Sequence, residues 1–395
     1  MSKNIKTYSV WLDVIRGLAA MVVFLGHARV VLIGSVVGAM GTAGADIAAK
    51  TVVNGKQPEL SSFGHIAVMV FFVLSGYLVG GGAVKALRQN RWSGSNYAIA
   101  RLSRLWTGLI PILLIGYVLD HVGLAMAGPR SIYSGPLGQE MVFDTLSDQI
   151  GIFNLILNAL FLQTIFVKTF GTNSPLWSLA YEFWFYAAFP FLMFLVRPES
   201  RVLRRVGCAI ALMLIGILVG PRICFYFFFW LLGVGIELAP KKLSQRTALI
   251  LSIGGSFLFV ALCVAILKAK QHIFVSDTIE SIGFTLLIYC IVHLQAERPR
   301  DRLAWAASAL AAVSYTLYVA HAPLIAFISS LLMPVWRPWP VNAIGLAKFM
   351  ATSAVVFGLV LLLWWLFERN TPTTRRWMEK LYRRLADLRS SASSV

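Results

Sequence analysis

The chain has 395 residues, of which 58% are hydrophobic and only 13% are charged. Since soluble domains carry about 25% charged residues, this chain lacks the polar side chains that cover a water-facing surface. Disordered, collagen-like and coiled-coil classes are excluded for the same reason. The net charge of +18 would indicate nucleic-acid binding in a soluble protein. No nucleic-acid-binding motif accompanies it, and the enrichment of lysine and arginine in cytoplasmic loops of membrane proteins explains the same excess.

Ten apolar stretches have the length of a membrane-spanning helix, about 17–25 residues. In chain order they lie near residues 10–34, 64–84, 103–122, 177–196, 204–220, 223–239, 248–267, 279–296, 304–332 and 343–367. The run 152–167 is an eleventh candidate, but it is short and contains Asn154, Asn158 and Gln163, so we interpret it as an interfacial or re-entrant helix. The sequence therefore predicts an all-α, polytopic transmembrane bundle of about ten spans.

The basic residues predict the orientation of the bundle. With ten spans and a cytoplasmic N-terminus, 24 basic loop and tail residues lie inside and eight lie outside. An eleventh span at 152–167 would place the later basic loops outside, against the usual bias. We therefore expect both termini in the cytoplasm and a transmembrane domain over 1–370. The basic segment 371–395 has the apolar spacing of an amphipathic helix on the anionic inner leaflet. The long external loops, 35–63 and 123–176, could form a cap over a cavity.

The first span carries two polar residues on one face. Arg16 and His27 are eleven residues apart, which returns them to within about 20° of each other around a helix and separates them by about 16 Å along it. Arg16 is therefore predicted near the cytoplasmic surface and His27 well across the membrane. A titratable group inside a bilayer is a functional candidate by default. The alternative is that Arg16 extends to the lipid surface and His27 makes a structural hydrogen bond.

Two further titratable residues are predicted in the outer half of the membrane. Glu182 lies one or two turns into the fourth span, and His321 follows Ser314 by seven residues in the ninth. By depth, His27, Glu182 and His321 could share one layer. Two imidazoles and a carboxylate around an outer cavity suit proton transfer. A buried structural network is the alternative.

An arginine pair marks the cytoplasmic start of the third span. Arg101 and Arg104 are three residues apart and so share a helix face. Arginine forks match phosphate oxygens, and Arg16 has a similar predicted depth. The three arginines therefore predict an anchor for a phosphorylated cytosolic ligand, with ordinary positive loop residues as the alternative.

Together these segments resemble the acyltransferase-3 family of integral membrane acyltransferases. The resemblance runs in order along essentially the whole chain. Its elements are the arginine and histidine of the first span (Arg16, His27), "FFVLSGYL" (71–78), the RxxR pair (Arg101, Arg104), "WSLAYEFWFY" (177–186), "SYTLYVAHAP" (314–323) and the closing "FERNTP" (367–372). Two departures are present. Val319 replaces the leucine that is usual in the family. In the closing segment, two residues stand between the phenylalanine, glutamate and basic residue of the family's "FE+P" pattern and its proline, Pro372.

The resemblance implies a multi-pass enzyme of the bacterial inner membrane that moves an acyl group, most often acetyl, from cytosolic acetyl-CoA or another acyl-CoA. The acceptor it implies is a hydroxyl of an exported or lipid-linked glycan. His27 carries over as catalytic base or acyl relay, and Arg16 as its partner or as a donor contact. Arg101 and Arg104 carry over as ligands of the donor phosphates. Glu182 and His321 carry over less securely.

The mechanism predicted from these residues has two sides. Coenzyme A docks at the cytoplasmic mouth, and the thioester reaches His27, which takes the proton of the acceptor hydroxyl. Glu182 is expected to orient His27, and His321 with Ser314 or Tyr315 to position the acceptor or stabilise the oxyanion. A covalent acyl-histidine or acyl-serine route is equally open. No metal-ligand cluster occurs in the sequence, so no metal is expected.

Two other classes of function remain as alternatives. A proton-coupled transporter or flippase of a glycan or small molecule would also contain intramembrane histidine and glutamate. A non-catalytic scaffold for polysaccharide synthesis would tolerate loss of His27.

Overall fold

The described part of the chain is almost entirely helical. A computed structural model describes residues 7–33, 61–128, 131–134, 146–239, 243–269, 273–293 and 301–392. The helices are α1 (Thr7–Leu32), α2 (Ser61–Ser75), α3 (Gly82–Arg88), α4 (Gly94–Ala125), α5 (Leu146–Gln149), α6 (Ile152–Ala159), α7 (Leu176–Leu195), α8 (Val202–Leu238), α9 (Gln245–Ala269), α10 (Ile273–Val292), α11 (Asp301–Leu332), α12 (Ala343–Leu366) and α13 (Thr371–Ala392). A π-helical segment, Gly76–Gly81, joins α2 to α3, and a 3₁₀ turn, Glu368–Asn370, joins α12 to α13.

The protein is an all-α polytopic membrane bundle. Within the described ranges, eight helices are long and apolar enough to cross a membrane. Each of the ten predicted spans falls on a helix, and α8 covers two of them. The end of the bundle at which α1 begins is called the basic end below, and the opposite end the outer end. The charge distribution predicts that the basic end faces the cytoplasm.

Helix α8 contains two segments separated by a sharp turn. Gly220 has φ +78° and ψ 172°, a conformation that L side chains avoid, and Pro221 follows it. The Cys224 sulfur lies 3.9 Å from the carbonyl oxygen of Gly216, although eight residues of straight helix would rise about 12 Å. The two predicted spans, 204–220 and 223–239, are therefore separate segments.

The eleventh candidate span is a short helix with a folded return. Helix α6 has eight residues, or about 12 Å, too short to cross a hydrocarbon core of about 30 Å. The amide group of Asn158 bonds to the Lys168 carbonyl at 3.1 Å and to the Phe170 N–H at 2.9 Å, and the Gln163 amide donates to the Leu176 carbonyl at 2.9 Å. The polar residues that argued against a span therefore hold this segment against the start of α7.

A close approach of two helices explains the glycine of "FFVLSGYL". A Cβ at Gly76 would lie 1.9 Å from the Trp230 carbonyl oxygen, and a Cβ at Gly233 would lie 2.0 Å from the Val73 carbonyl oxygen. Only glycine permits this backbone contact between α2 and α8. The π-helical segment begins at Gly76, and π-bulges are frequent at functional sites. Here the segment follows directly on Ser75, whose side chain enters the site described below.

The first helix lies at the centre of this arrangement, between α2 and α11. It thus places Arg16 and His27 against the helices that carry Ser75 and His321. Part of the expected external cap, residues 34–60 of the first long loop together with 129–130 and 135–145 of the second, lies outside the described residues, as do 393–395 of the tail.

Candidate active site

A cavity of about 260 Å³ opens among five helices, α1, α2, α4, α7 and α11. Polar side chains that face it come from every one of these helices. The ones used below are Arg16, Ser75, Arg101, Arg104, Glu182, Tyr186, Ser314, Tyr315 and Tyr318. The cavity therefore collects six of the eight residues that the sequence analysis selected.

The three arginines predicted to share a depth do line one cavity. Arg16 donates to Asp13 at 3.1 Å, while its Nε has no partner among the described residues although it is buried. The Nε of Arg101 is likewise buried and unpartnered, and its guanidinium carbon lies 5.9 Å from the centre of the Tyr186 ring. Arg104 forms an ion pair with Glu368. Two guanidinium groups thus retain buried donors at the basic end of the cavity, where an anionic ligand would satisfy them.

Glu182 lies in a hydrogen-bonded group with Ser75 and Tyr186. The Ser75 hydroxyl donates to Glu182 Oε1 at 2.8 Å and accepts from the Trp230 indole N–H at 3.1 Å. The Tyr186 hydroxyl also donates to Glu182 Oε1 and lies 2.9 Å from Ser75 Oγ. Three hydroxyl or carboxylate groups therefore converge on the cavity wall and can exchange hydrogen bonds with a ligand.

Glu182 lies deeper than the predicted outer layer. The Asn173 amide donates to the Val319 carbonyl at 2.7 Å, and the Ser178 hydroxyl lies 2.6 Å from the Tyr318 hydroxyl. These contacts place the first turn of α7 beside Tyr318, and Glu182 follows one turn closer to the basic end. The reason is that the segment before α7 folds over its start, where the Gln163 amide bonds to the Leu176 carbonyl. The hydrogen bonds of Glu182 go to Ser75 and Tyr186, rather than to His27 as expected.

The two predicted histidines are in direct contact. His27 Nδ1 lies 2.8 Å from His321 Nε2, and the two rings lie edge to edge in nearly one plane, with centroids 5.0 Å apart and planes 5° apart. His321 is fully buried, with 1% of its surface exposed, whereas His27 is partly exposed. Helices α1 and α11 therefore bring together two imidazoles that are 294 residues apart in sequence.

Hydrogen bonding fixes the tautomers of this pair. His321 Nδ1 lies 2.9 Å from the Leu317 carbonyl oxygen, which can only accept, so Nδ1 of His321 carries the proton. In a neutral ring, His321 Nε2 is then an acceptor and His27 Nδ1 must donate to it. His27 Nε2 consequently holds a lone pair, and this atom has no hydrogen-bond partner among the described residues. The geometry thus supplies an oriented imidazole base.

The histidine pair stands next to the cavity but outside its lining. Tyr318 does line the cavity, and its ring centroid is 6.1 Å from that of His321. The Tyr318 hydroxyl is held by the Pro175 carbonyl at 2.9 Å. The lining of this cavity therefore includes Arg16 but not His27, and Tyr318 is a lining residue whose ring lies beside His321.

Ser314 and Tyr315 lie at the basic end, two turns of α11 away from His321. Ser314 donates to the Ala311 carbonyl of its own helix at 2.7 Å, and Tyr315 donates to the Leu105 carbonyl at 2.6 Å. Their hydroxyl protons are thus engaged, and their position suits the donor side of the cavity better than the acceptor side for which they were predicted.

Four residues of the site were missed from the sequence: Tyr186, Ser75, Glu368 and Tyr318. Tyr318 lies one turn before His321, so helical spacing could have placed it beside that residue. Tyr186 lies one turn after Glu182, so helical spacing could have placed it on the same face. Ser75 stands in a segment that we interpreted as packing, and its motif gave no sign of the π-helical geometry. Glu368, in "FERNTP", is an acidic residue at the end of an apolar span, and an acidic residue in that position is a functional candidate.

Comparison with known families gives one finding. The model of the acyltransferase-3 family, described as an acyltransferase domain, matches residues 9–369. Comparison with curated proteins and with solved structures finds no match. The match contains every site residue named above, including Glu368 near its end.

Proposed function

Because the chain belongs to the acyltransferase-3 family and is therefore an acyltransferase of groups other than aminoacyl groups, we propose a donor, an acceptor and a direction for its reaction. The donor is cytosolic acyl-CoA, in the first instance acetyl-CoA. The acceptor is a hydroxyl of an exported or lipid-linked glycan, and the protein resides in the bacterial inner membrane. The observation that carries the proposal is the oriented His27–His321 pair beside an arginine-lined cavity.

The arginines support a phosphorylated donor at the basic end. Arg16 and Arg101 have buried, unpartnered Nε groups, and charge-assisted hydrogen bonds to phosphate would satisfy them. The cavity volume of about 260 Å³ is below the roughly 300–1,000 Å³ of pockets that enclose a drug-sized ligand. The nucleotide therefore stays at the mouth, and only the arm that carries the thioester enters.

The Ser75–Tyr186–Glu182 group is proposed to hold that arm. These side chains line the same cavity as the arginines and Tyr318, and the Arg101 guanidinium carbon lies 5.9 Å from the centre of the Tyr186 ring. Glu182 and Ser75 can accept the amide N–H groups of the arm, while Tyr318 separates the thioester from the histidine pair. Movement of the Tyr318 ring is then required before the acyl group meets His27.

His27 is proposed to act as general base. Its Nε2 lone pair takes the proton of the acceptor hydroxyl, the oxygen attacks the acyl carbon, and the carbon–sulfur bond breaks. The thiolate of coenzyme A then takes up the proton that His27 carries. His321 acts through His27, because His321 Nε2 accepts a hydrogen bond from the Nδ1–H of His27 and so fixes the tautomer of His27. Direct transfer and an acyl-serine route both use His27 as the base, whereas in an acyl-histidine route the His27 Nε2 lone pair itself attacks the thioester carbon and displaces the coenzyme A thiolate.

Mass spectrometry of surface glycans tests the proposal in cells. A strain that lacks the gene is complemented with the wild type, with His27→Ala or with His121→Ala. His121 is a matched control, since its Nδ1 bonds only to the Tyr117 carbonyl of its own helix at 2.8 Å. We expect the acyl mass to return with the wild type and with His121→Ala but not with His27→Ala. Full acylation by His27→Ala would refute the proposed base, and an unchanged glycan in the deletion strain would refute the acceptor class.

A further inference from the structure

A buried carboxylate at the end of the last span is tied to two other helices. Glu368 is 3% exposed and accepts from Arg104 Nη1, from the Thr316 backbone N–H at 3.0 Å and from the Thr316 hydroxyl at 2.5 Å. A buried carboxylate is costly unless it is paired and hydrogen-bonded, and these partners satisfy it. The 3₁₀ turn after α12 is thereby joined to α11 and α4.

Arg104 is held on its other side as well. Its guanidinium carbon lies 5.1 Å above the Tyr315 ring, and the Tyr315 hydroxyl is fixed by the Leu105 carbonyl at 2.6 Å. An arginine has five N–H donors, and the ion pair to Glu368 uses Nη1. The side chain is 36% exposed and lines the cavity, so its remaining donors are available to a ligand.

We infer that Glu368 is a positioning residue of the donor site, which fixes Arg104 in advance in the orientation that receives a donor phosphate. An immobilised arginine gives up less conformational freedom when a ligand binds than a mobile one does. Arg16 and Arg101 are different, since each retains a buried Nε without a partner. The inference rests on the proposed function, because it takes an acyl-CoA phosphate as the ligand.

Steady-state kinetics on the purified protein test the inference, with acetyl-CoA as the varied substrate. Glu368→Gln keeps the shape of the side chain and removes its charge. We expect KM for acetyl-CoA to rise about 5- to 10-fold while kcat changes less than about 2-fold, since one side chain must now be ordered on binding. The matched control is Glu379→Gln, which breaks the exposed Arg375–Glu379 pair of 2.9 Å on α13 and should leave KM unchanged.

A double-mutant cycle separates positioning from a general structural effect. If Glu368 acts through Arg104, the double variant Arg104→Met/Glu368→Gln should show the KM of Arg104→Met alone. A KM equal to the product of the two single effects would overturn the inference, as would an unchanged KM in Glu368→Gln.

A second pair of variants covers the case in which Glu368→Gln does not fold. Thr316→Val removes one hydroxyl bond to Glu368, and Thr316→Ser keeps it. KM should rise about 3-fold in Thr316→Val, for the same reason as above, and remain at the wild-type value in Thr316→Ser; equal KM in both overturns the inference. A wild type that releases no coenzyme A would instead refute the proposed function.

Discussion

At the scale of single residues, the His27–His321 contact is the most informative feature of the site. Two nearly coplanar imidazoles joined by one 2.8 Å hydrogen bond can have only one proton between them. The Leu317 carbonyl holds the second proton on His321 Nδ1, so the lone pair that remains belongs to His27 Nε2. A backbone carbonyl on α11 thus determines which nitrogen of a residue on α1 can act as a base.

Removal of His321 should weaken catalysis without abolishing it. His321→Ala leaves the His27 base in place but frees its ring, and misplacement of a reacting group by 1 Å can cost about 10²-fold. We therefore expect kcat to fall about 10- to 100-fold, less than in His27→Ala, in which a general base worth about 10²–10⁴-fold is lost. Coenzyme A release by the purified variants measures this difference.

His293→Ala is the matched control for that experiment. His293 Nδ1 bonds to the Tyr289 carbonyl of its own helix at 2.6 Å, the same intrahelical contact that His321 makes. The kcat of the His293→Ala variant should equal that of the wild type. A His321→Ala variant that turns over as fast as His293→Ala would exclude an orienting role for His321.

At the scale of helices, the contact between α2 and α8 positions one wall of the cavity. Gly76 and Gly233 allow the two backbones to touch, and Trp230 then reaches Ser75 with its indole N–H. Ser75 in turn bonds to Glu182 on α7. A packing contact between glycines therefore determines the orientation of a polar group in the site.

A methyl group at Gly76 should disrupt this packing. In Gly76→Ala the new Cβ would fall 1.9 Å from a backbone carbonyl oxygen, which cannot move aside without shifting its helix. Overpacking of this kind costs about 1–3 kcal/mol, so we expect a lower Tm in detergent and reduced activity. Gly82→Ala is the matched control, because nothing lies within 4 Å of a Cβ at Gly82. Equal Tm values for the two variants would contradict the packing explanation.

The sequence predicted what depends on position along a single helix. Hydropathy predicted ten spans, and each predicted stretch falls on a helix, while eight helices of the described residues are long and apolar enough to cross a membrane. The prediction works because a spanning helix must satisfy its backbone internally and needs a long apolar stretch. Depth along the span also predicted that Arg16, Arg101 and Arg104 would lie near one another. These quantities follow from the 1.5 Å rise per residue and require no knowledge of neighbouring helices.

Lateral contacts could not be predicted in the same way. The depth of Glu182 depends on how residues 146–175 fold over α7, and the hydrogen bonds of Asn158 and Gln163 that decide it are long-range. The contact of His27 with His321 and the position of Tyr318 beside the cavity depend on which helices are neighbours. Spacing along one helix carries no information about that choice.

At the scale of the whole molecule, the polar groups are arranged in order along the bundle. Arginines stand at the basic end, the Ser75–Tyr186–Glu182 group lines the same cavity, and Tyr318 lies between this lining and His321, with its ring 6.1 Å from that of His321. A donor with anionic phosphates and a thioester arm would meet these groups in the same order. The arrangement fits a reaction whose two substrates approach from opposite sides of the membrane.

The last helix extends this organisation to the basic end. Helix α13 begins directly after the Glu368 turn and packs against α4. Trp377, Leu381 and Leu385 lie four residues apart and are exposed, so one apolar face of the helix is uncovered. Together with its arginines, this face supports the predicted position on an anionic leaflet, which stays a prediction here.

The purified protein in liposomes, supplied with radiolabelled acetyl-CoA and extracted glycan lipid, gives the most direct test. We predict that the wild type and His121→Ala both transfer label to the glycan, and that each releases one coenzyme A for each acetyl group transferred. His27→Ala should do so at least about 10²-fold more slowly. Label that stays on acetyl-CoA with the wild type, or transfer by His27→Ala at the wild-type rate, would contradict the account.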